Sequence, residues 1–400
     1  MEEKLRNKLK RVHIGDLGHL VLFLLALLPA ALLRRRRPHL WLICENRREA
    51  RDNGYWLFKY LREQEPQQDA VYAIDLDAPE RARVTSLGPT VAFGSFRHWV
   101  LYLAAEVNIS SQKYGKPNAA VCYLLEVVLG LLKNRRVFLQ HGVTKDDLPF
   151  LHEDRAKLWM FCCAAEPEYA FIKQSFGYPP ETVQYVGFCR FDALHGQQSE
   201  DELVLILPTW RMYLQRSGDR EAFLRSDYYR CWSALLTDGQ LDALLKRYGK
   251  RAVFVLHREM GAFEDAFASS GAHIEVLRWQ QADISSLIRR AGTLVTDFSS
   301  VYMDFAYMKK PLVYYQFDTA LYRAGHLDKG YYDYERDGFG PICADEDALL
   351  RELEACFAGG CRMPERYRER VERFYTLYDD HNCRRTCEAI REKLQAEGKR

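Results

Sequence analysis

From residue 39 onward, short apolar runs alternate with longer segments in which apolar residues recur every three or four positions. The short runs predict strands and the longer segments predict amphipathic helices. Strands are predicted at 40–44, 70–74, 90–93, 107–110, 136–140, 158–164, 183–186, 203–207, 252–256, 274–277, 293–296 and 312–315. Helices are predicted between them, notably at 50–63, 120–132, 228–248 and 284–291.

This alternation predicts an α/β protein with parallel sheets covered by helices on both faces. The polar stretch 192–201 (DALHGQQSED) precedes a new apolar strand and is the natural linker. We therefore predict one α/β domain over 38–195, a second over 201–365, and C-terminal helices over 366–400 that pack back. Two such domains facing a central cleft would bind a ligand at the carboxyl ends of their strands.

The N-terminal region has a different pattern. Residues 20–33 are uncharged and almost all apolar, and four arginines follow at 34–37. As a helix this run spans about 21 Å, less than the roughly 30 Å hydrocarbon core of a bilayer. Before it, apolar residues at helical spacing lie among lysines and arginines, as in a helix lying on anionic lipid. Residues 1–37 are therefore predicted to be a monotopic anchor.

Two alternatives remain for this region. A signal peptide also has a basic start and a short apolar stretch, but arginines directly after that stretch oppose translocation. The other alternative is a buried helix of the first domain.

The charge distribution favours a membrane as the anionic partner. The 400 residues carry a net charge of +2, but residues 1–37 hold nine Lys/Arg and three Asp/Glu, so the rest of the chain is at −4. This argues against a nucleic-acid-binding body, whose basic residues would run along the fold. Eleven cysteines without a CxxC pair indicate a reducing cytosol, and no metal site is predicted, although His381, Cys383 and Cys387 lie close in sequence.

Neither GxGxxG nor GxxxxGK[ST] occurs, so dinucleotide and P-loop chemistry have no support. Instead, polar residues directly follow predicted strands. His141 follows 136–140 and is suited to act as a general base, the alternative being a histidine bonded within its loop. His257 and Arg258 follow 252–256 in the same way.

The strand 203–207 leads into Pro208-Thr209-Trp210-Arg211. The planar fork of Arg211 matches a phosphate, and Trp210 can stack on a base or simply pack in the core.

The segment 293–306 (TLVTDFSSVYMDFA) predicts a strand followed by a helix. Asp297 or Ser299 is expected to cap this helix. Free N–H groups and the hydroxyls of Ser299 and Ser300 at a helix start can bind an anion, although capping without a ligand explains the same residues.

The stretch VTDFSSVYMDFAYMKKPLVYYQFD resembles the signature segment of the CDP-glycerol:poly(glycerophosphate) glycerophosphotransferase family, the teichoic-acid primases and polymerases. LQHG, PTWR, the strand-terminal His257, ENRREARDNGYWLFKYL and GYYDYERDGFGP are similar to other motifs of that family, and the likeness covers about residues 38–390. The resemblance implies a GT-B-like fold, peripheral attachment to the cytoplasmic face of the cell membrane, and no cofactor.

The resemblance also implies roles for individual residues. His141 matches the proposed catalytic base, and His257 matches a second essential histidine near the donor phosphates. Ser299 and Ser300 match residues that hold the donor diphosphate, and Arg211 lies in the PTWR motif. To these we add Thr209 and Arg258 as predicted diphosphate-binding residues, and Asp297 and Trp210 for the donor nucleotide or a cap. One departure is the sequence after His141, Gly-Val-Thr-Lys-Asp-Asp, where many polymerases read HGTPLK, so the acceptor side is expected to differ.

The predicted reaction is the attack of an acceptor hydroxyl, deprotonated by His141, on the β-phosphorus of a CDP-polyol, with CMP leaving. Positive charge from His257 and the arginines would stabilise the phosphates. CDP-glycerol is the expected donor and CDP-ribitol the alternative, and the acceptor is a polyprenyl-linked saccharide or polymer at the membrane. The rival interpretations are a GT-B glycosyltransferase that uses a nucleotide sugar and a non-catalytic membrane scaffold.

Overall fold

The computed structural model describes residues 14–197, 199–325 and 329–398, which form two compact units. The first takes the chain up to Val143, then Leu148–Ala193 and the segment from Asp379 on. The second takes Thr144–Asp147 and Leu194–Tyr378. The basic residues before position 14 that contribute to the predicted anchor lie outside the described residues.

Each unit contains one sheet, and all the strand pairs in both are parallel. The first sheet has the order β3-β2-β1-β4-β5-β6-β7 and the second β10-β9-β8-β11-β12-β13. The strands are β1 Trp41–Cys44, β2 Ala70–Ile74, β3 Thr90–Ala92, β4 Val107–Ser110, β5 Arg136–Phe138, β6 Met160–Cys163, β7 Val183–Tyr185, β8 Glu200–Ile206, β9 Arg251–Val255, β10 Ile274–Leu277, β11 Ala291–Thr296, β12 Leu312–Tyr315 and β13 Ile342–Cys343.

The helices cover the two sheets. They are α1 Ile14–Arg36, α2 Asn53–Gln64, α3 Arg81–Thr85, α4 Phe96–Ala104, α5 Ala119–Tyr123, α6 Glu153–Ala156, α7 Glu166–Ser175, α8 Met212–Ser217, α9 Arg220–Arg225, α10 Asp227–Thr237, α11 Gln240–Arg247, α12 Ile284–Arg290, α13 Tyr302–Tyr307, α14 Thr319–Gly325, α15 Tyr334–Asp337, α16 Glu346–Ala358, α17 Glu365–Phe374 and α18 Asn382–Gly398. Short 3₁₀ segments lie at Pro149–Leu151, Cys189–Ala193, Arg258–Ala266 and Trp279–Gln281, and a π-helical turn at Leu124–Val128.

The predicted α/β class with two parallel sheets is confirmed. In each sheet the strand order reverses direction once, between β1 and β4 in the first and between β8 and β11 in the second. Such switch points open a crevice at the carboxyl ends of the strands, where ligands of α/β proteins bind. One of the points at which the chain passes between the units follows Ala193, within the predicted polar linker 192–201.

The two C-terminal helices belong to different units. Helix α17 lies in the second unit, whereas α18 packs on the first sheet's core through Cys383, Cys387 and Ile390. The sequence prediction treated them as one segment and placed residues 144–147 in the first domain. The roles predicted for the two domains stay predictions.

Helix α1 is longer than predicted, since it continues through Pro29 for 23 residues, about 34 Å. By length and composition, Gly15–Arg36 is apolar enough to cross a membrane. One side, with Phe23, Ala26 and Ala30, is buried in a core shared with α4. The other side exposes large apolar side chains, namely Leu17, Val21, Leu24, Leu25, Leu27, Leu28 and Leu32.

Candidate functional site

At the switch point of the second sheet, a buried carboxylate joins the segments that follow β8 and β11. Asp297 Oδ1 accepts hydrogen bonds from the backbone N–H of Thr209, at 2.7 Å, and of Phe298, at 2.6 Å. Gln316, at the end of β12, donates its side-chain amide to the Asp297 carbonyl at 2.9 Å. These contacts fix the crevice edge from three neighbouring strands.

The guanidinium of Arg211 lies in the same cluster and is 1% exposed. It makes a bidentate pair with Asp318, both distances being 2.8 Å, and lies 2.9 Å from Asp297 Oδ2. Its remaining nitrogen donates to the Thr209 carbonyl at 3.2 Å. Burial alone would lower the pKa of Arg211, but the two carboxylates raise it above its ordinary value. The arginine is therefore a permanent buried cation.

Aromatic rings enclose this cation. The guanidinium carbon lies 4.8 Å from the ring centre of Tyr228, 5.3 Å from Phe298 and 5.0 Å from Tyr322, and the last two rings stack at 3.9 Å. Desolvation of this kind strengthens the ion pairs and cation–π contacts. Burial raises the pKa of Asp297, and the Arg211 charge opposes that rise.

This geometry bears on two roles that stay predictions. Arg211 was predicted to bind the donor diphosphate directly, but its donors are occupied by Asp318, Asp297 and backbone carbonyls. Asp297 was predicted to touch the nucleotide or cap a helix, but it is fully buried and holds the turn at Thr209. Both side chains are therefore bound within the structure beneath the crevice edge.

The two serines lie just past this cluster. Ser300 is exposed, whereas Ser299 is largely buried and accepts a hydrogen bond from Val301 N–H at 3.4 Å. Helix α13 begins at Tyr302, and its N-cap, Val301, has no capping side chain. The helix thus starts later than the sequence predicted, and the serines precede it in a turn.

His257 follows β9, as predicted, and lies close to two indole rings. The Trp210 ring is stacked at 6.4 Å and the Trp279 ring lies at 5.8 Å, measured between ring centres. Its Nδ1 accepts a hydrogen bond from Glu259 N–H at 3.2 Å, so the proton of the neutral ring resides on Nε2. Trp279, which begins the 3₁₀ segment after β10, was not singled out from the sequence.

The charge state of His257 differs from the prediction. Desolvation, with a smaller contribution from the neighbouring Arg258, lowers the pKa of His257 to about 4. Its imidazole is neutral at physiological pH, so the side chain offers an Nε2–H donor and not the positive charge expected of it. Arg258 is exposed, with its guanidinium 3.5 Å from Glu259.

In the first unit, His141 lies beyond the carboxyl end of β5 with its side chain exposed. The residue before it, Gln140, has φ of 61°, a left-handed backbone that non-glycine residues rarely adopt. The buried Gln140 amide donates to the Cys162 carbonyl at 2.7 Å and to Glu168 at 3.0 Å. Strain that is held in place by buried bonds in this way is typical of functional sites.

Asn53 completes this support from the start of α2. Its Nδ2 donates to the carbonyls of Leu139, at 3.2 Å, and Gln140, at 2.8 Å, while its Oδ1 accepts from Arg190 N–H at 3.0 Å. Sequence reasoning assigned no role to Asn53 or Gln140. The signal was present in the LQHG and ENRREARDNGYWLFKYL segments, which the structure brings together.

Glu45 organises the loop that carries Asn53. It follows β1 and accepts hydrogen bonds from the backbone N–H groups of Arg51, Asp52 and Tyr55. Burial, with a contribution from Asp52, raises the pKa of Glu45 to about 8. Gly54 is required here, because a Cβ at this position would lie 2.9 Å from the Glu45 side chain.

The segment after His141 that departs from the family pattern, Thr144–Asp147, packs within the second unit. Lys145 lies over the Tyr334 ring at 5.7 Å, and a Cβ at Gly330 would lie 2.3 Å from the Lys145 carbonyl oxygen. The GYYDYERDGFGP segment therefore supports this loop. Its buried Tyr332 also packs on Tyr302 of α13.

Comparison with known sequences gives consistent results. The model of the family described as CDP-Glycerol:Poly(glycerophosphate) glycerophosphotransferase matches residues 28–392. The chain is similar to the Minor teichoic acid biosynthesis protein GgaB of Bacillus subtilis (strain 168), with 29% identity over 89% of this chain and 40% of that protein. It is also similar to the Teichoic acid poly(glycerol phosphate) polymerase of Staphylococcus epidermidis, with 25% identity over 52% of this chain and 29% of the polymerase.

The chain thus spans less than half the length of these curated relatives. Among solved structures, the Wall Teichoic Acid Polymerase TagF superposes with a TM-score of 0.66 at 16% identity, covering 98% of each chain. At this identity the superposition establishes a shared fold.

Proposed function

The chain belongs to the CDP-glycerol:poly(glycerophosphate) glycerophosphotransferase family, and from that membership we propose that it transfers glycerol phosphate from CDP-glycerol to a hydroxyl of a teichoic-acid-like acceptor. The observation that carries the proposal is the placement of the family-matched residues at the carboxyl ends of β5, β8, β9 and β11. Strand ends beside a switch point are where α/β proteins bind their ligands.

In the proposed reaction, the acceptor hydroxyl attacks the β-phosphorus of the donor and gives its proton to His141. The bond between that phosphorus and the oxygen bridging to CMP breaks, so CMP leaves with the bridging oxygen. Exposure of the His141 side chain allows an acceptor to reach it. The support from Asn53 and Gln140 fixes the backbone before the base, and such pre-positioning lowers the entropic part of the barrier.

The donor phosphates are assigned to the second unit. Ser300, Ser299 and Thr209 supply hydroxyl donors, with Arg258 as a cation at the edge of this group. His257 donates through Nε2–H, because its Nδ1 is already taken by Glu259 N–H. Hydrogen bonds to an oxyanion from donors fixed in a desolvated site are the main means of stabilising phosphoryl transfer.

Trp210 lies beside His257, where its indole could cover the nucleotide base. Arg211 acts indirectly in this scheme, because it holds Asp297 and through it the Thr209 turn.

The proposed acceptor is polyprenyl-linked and lies at the cytoplasmic leaflet, which requires the enzyme to bind the membrane. Helix α1 is consistent with a membrane segment by composition and length. We assign it an orientation in the plane of the interface. Near its start Asp16 accepts from Asn118 at 2.8 Å, and near its end Arg34 Nε donates to the Ala104 carbonyl at 3.4 Å.

Contacts at both ends and a buried side between them attach α1 along its length to the first unit. A bilayer can then cover only its outward face, which makes the attachment monotopic.

A CMP-release assay with full-length detergent-solubilised protein tests this function. CDP-glycerol and CDP-ribitol are supplied in parallel, with a membrane extract as acceptor. Acceptor-dependent CMP release from CDP-glycerol is expected. Release of CMP from CDP-ribitol alone would show that CDP-ribitol, not CDP-glycerol, is the donor. Thermal protection by UDP without CMP release would indicate a glycosyltransferase that uses a nucleotide sugar.

A further inference from the structure

A short apolar turn in the first unit is exposed without an evident structural reason. Val128, Leu129 and Leu131 are 37%, 52% and 71% exposed. They end the apolar run 119–132, in which Glu126 is the one charged residue. Three large apolar side chains exposed within four positions form an apolar patch, a surface feature associated with interaction sites.

The turn is held in a defined shape. Leu129 N–H donates to the Leu124 carbonyl at 2.9 Å, and the N–H groups of Leu131 and Leu132 donate to the Leu125 carbonyl at 2.8 and 3.2 Å. Gly130, at φ of 63°, permits the reversal. The leucines are thus presented by a hydrogen-bonded turn.

A buried ionic cluster fastens the turn to the domain. Glu126 accepts from Tyr102 Oη at 2.6 Å and from Arg136 at 3.0 Å, and it pairs with Lys116. These charged groups are all buried. This explains a carboxylate in an otherwise apolar run, because Glu126 points into the unit while the leucines point out.

The turn lies beside the apolar helix α1. Leu125 and Leu132, which flank it, belong to the same core as Phe23, Ala26 and Ala30 of α1. Basic residues lie at the end of α1 and directly after the turn. Arg34 of α1, Lys133 and Arg135 line one cavity of about 450 Å³, together with Glu106 and Glu397.

We propose that the 128–131 turn is a second membrane-contacting element, which with α1 docks the first unit on an anionic phospholipid bilayer. The leucines insert among the acyl chains, and Lys133 with the exposed Arg35 and Arg36 of α1 contacts lipid phosphates. An apolar tip bordered by cations fits a bilayer surface better than a protein partner, whose interface would need matching carboxylates. The proposal rests on the membrane attachment proposed for α1.

Flotation of the full chain with phosphatidylcholine vesicles, with and without phosphatidylglycerol, tests it. L129S/L131S is expected to reduce binding about tenfold. The matched control, L76S/L224S, replaces two exposed leucines elsewhere and is expected to bind normally. Lys133→Gln is expected to weaken binding only to the anionic vesicles. If the urea-unfolding midpoint of L129S/L131S is unaltered, its loss of vesicle binding comes from the changed surface of the turn and not from unfolding.

A third variant, L24S/L28S, removes exposed leucines from α1 and separates the two proposals. If it loses binding while L129S/L131S binds normally, the turn is not a membrane contact, although α1 is. If both bind normally, both proposals fail. If L129S/L131S instead abolishes self-association in sedimentation and leaves flotation intact, the turn is a contact between copies of this chain and the membrane role is overturned.

Discussion

The side-chain amide of Asn53 donates a hydrogen bond to the carbonyl oxygen of Gln140 at 2.8 Å, one residue before His141. A second bond from the same nitrogen reaches Leu139. Asn53 lies 87 positions before Gln140 in the chain, so this contact couples helix α2 to the backbone that precedes the proposed base. The backbone before His141 is therefore fixed from outside its own loop.

Replacing Asn53 by alanine is expected to lower kcat about 100-fold with little change in the KM for CDP-glycerol, because His141 would lose its alignment. Steady-state CMP release measures both constants. Asn108→Ala is the control, since Asn108 is also buried and donates to a backbone carbonyl, that of Tyr102, at 3.2 Å. An equal fall in kcat in both variants would reduce the role of Asn53 to general stability.

The low pKa of His257 predicts how the stability of the protein depends on pH. Its pKa in the folded protein, about 4, lies below the ordinary value of 6.5. Between these values the unfolded chain binds a proton that the native protein does not, so this residue makes stability fall as pH drops through the window. His257→Gln is expected to lose this contribution, as measured by urea unfolding between pH 4 and 7.

The same residue can be observed directly. Two-bond ¹H–¹⁵N NMR at pH 7 is expected to show the Nε2–H tautomer, because Nδ1 accepts from Glu259 N–H. His257→Gln keeps a side-chain N–H donor and is expected to retain more CMP release than His257→Ala. An imidazolium signal at neutral pH would contradict the neutral-donor role.

Arg211→Lys distinguishes positioning from direct donor binding. Lysine cannot make the bidentate pair with Asp318 or fill the aromatic enclosure, and breaking a buried ion pair costs about 3–5 kcal/mol. Urea unfolding measures this loss. Arg220→Lys, at the exposed pair with Asp265, is expected to leave stability unchanged. A raised donor KM with unaltered stability in Arg211→Lys would restore the direct role predicted from the sequence.

Removing the Ser300 hydroxyl is expected to raise the KM for CDP-glycerol about tenfold, the size of one hydrogen bond to a charged oxygen. Stability should not change, because Ser300 is exposed. Ser217→Ala is the matched control, since its hydroxyl makes local bonds at the end of α8, donating to the Leu214 carbonyl and accepting from Asp219 N–H. A donor KM that is equal in both variants would exclude Ser300 from the phosphate site.

Much of the fold could be predicted from local patterns, since buried parallel strands read as short apolar runs. Strand β13 was missed because it has two residues and contributes little apolar pattern. The predicted helix 228–248 is two helices, because Gly239 has φ of 85° and ends the regular backbone. The predicted anchor helix was short because its length was taken from the uncharged run 20–33, whereas α1 begins at Ile14, ends at Arg36 and continues through Pro29.

The proposed site was predictable only in part. The residues that directly follow strands, namely His141, His257 and the two serines, could be placed at strand ends from the local sequence pattern. Arg211 pairs with Asp297 and Asp318, which lie 86 and 107 residues further along the chain. No local sequence pattern therefore distinguishes a buried arginine of this kind from one that binds phosphate. The neutral state of His257 likewise depends on burial beside Trp210 and Trp279, which only the tertiary structure provides.

The most direct test of the account is CMP release from CDP-glycerol by the full chain and by His141→Ala, with acceptor-containing membranes. The account predicts acceptor-dependent release by the unaltered protein and at least about a 100-fold loss in His141→Ala, with unchanged urea unfolding and unchanged donor binding. Near-normal release by His141→Ala would contradict the assignment of this histidine as the base, and absence of release by the unaltered protein would contradict the proposed reaction.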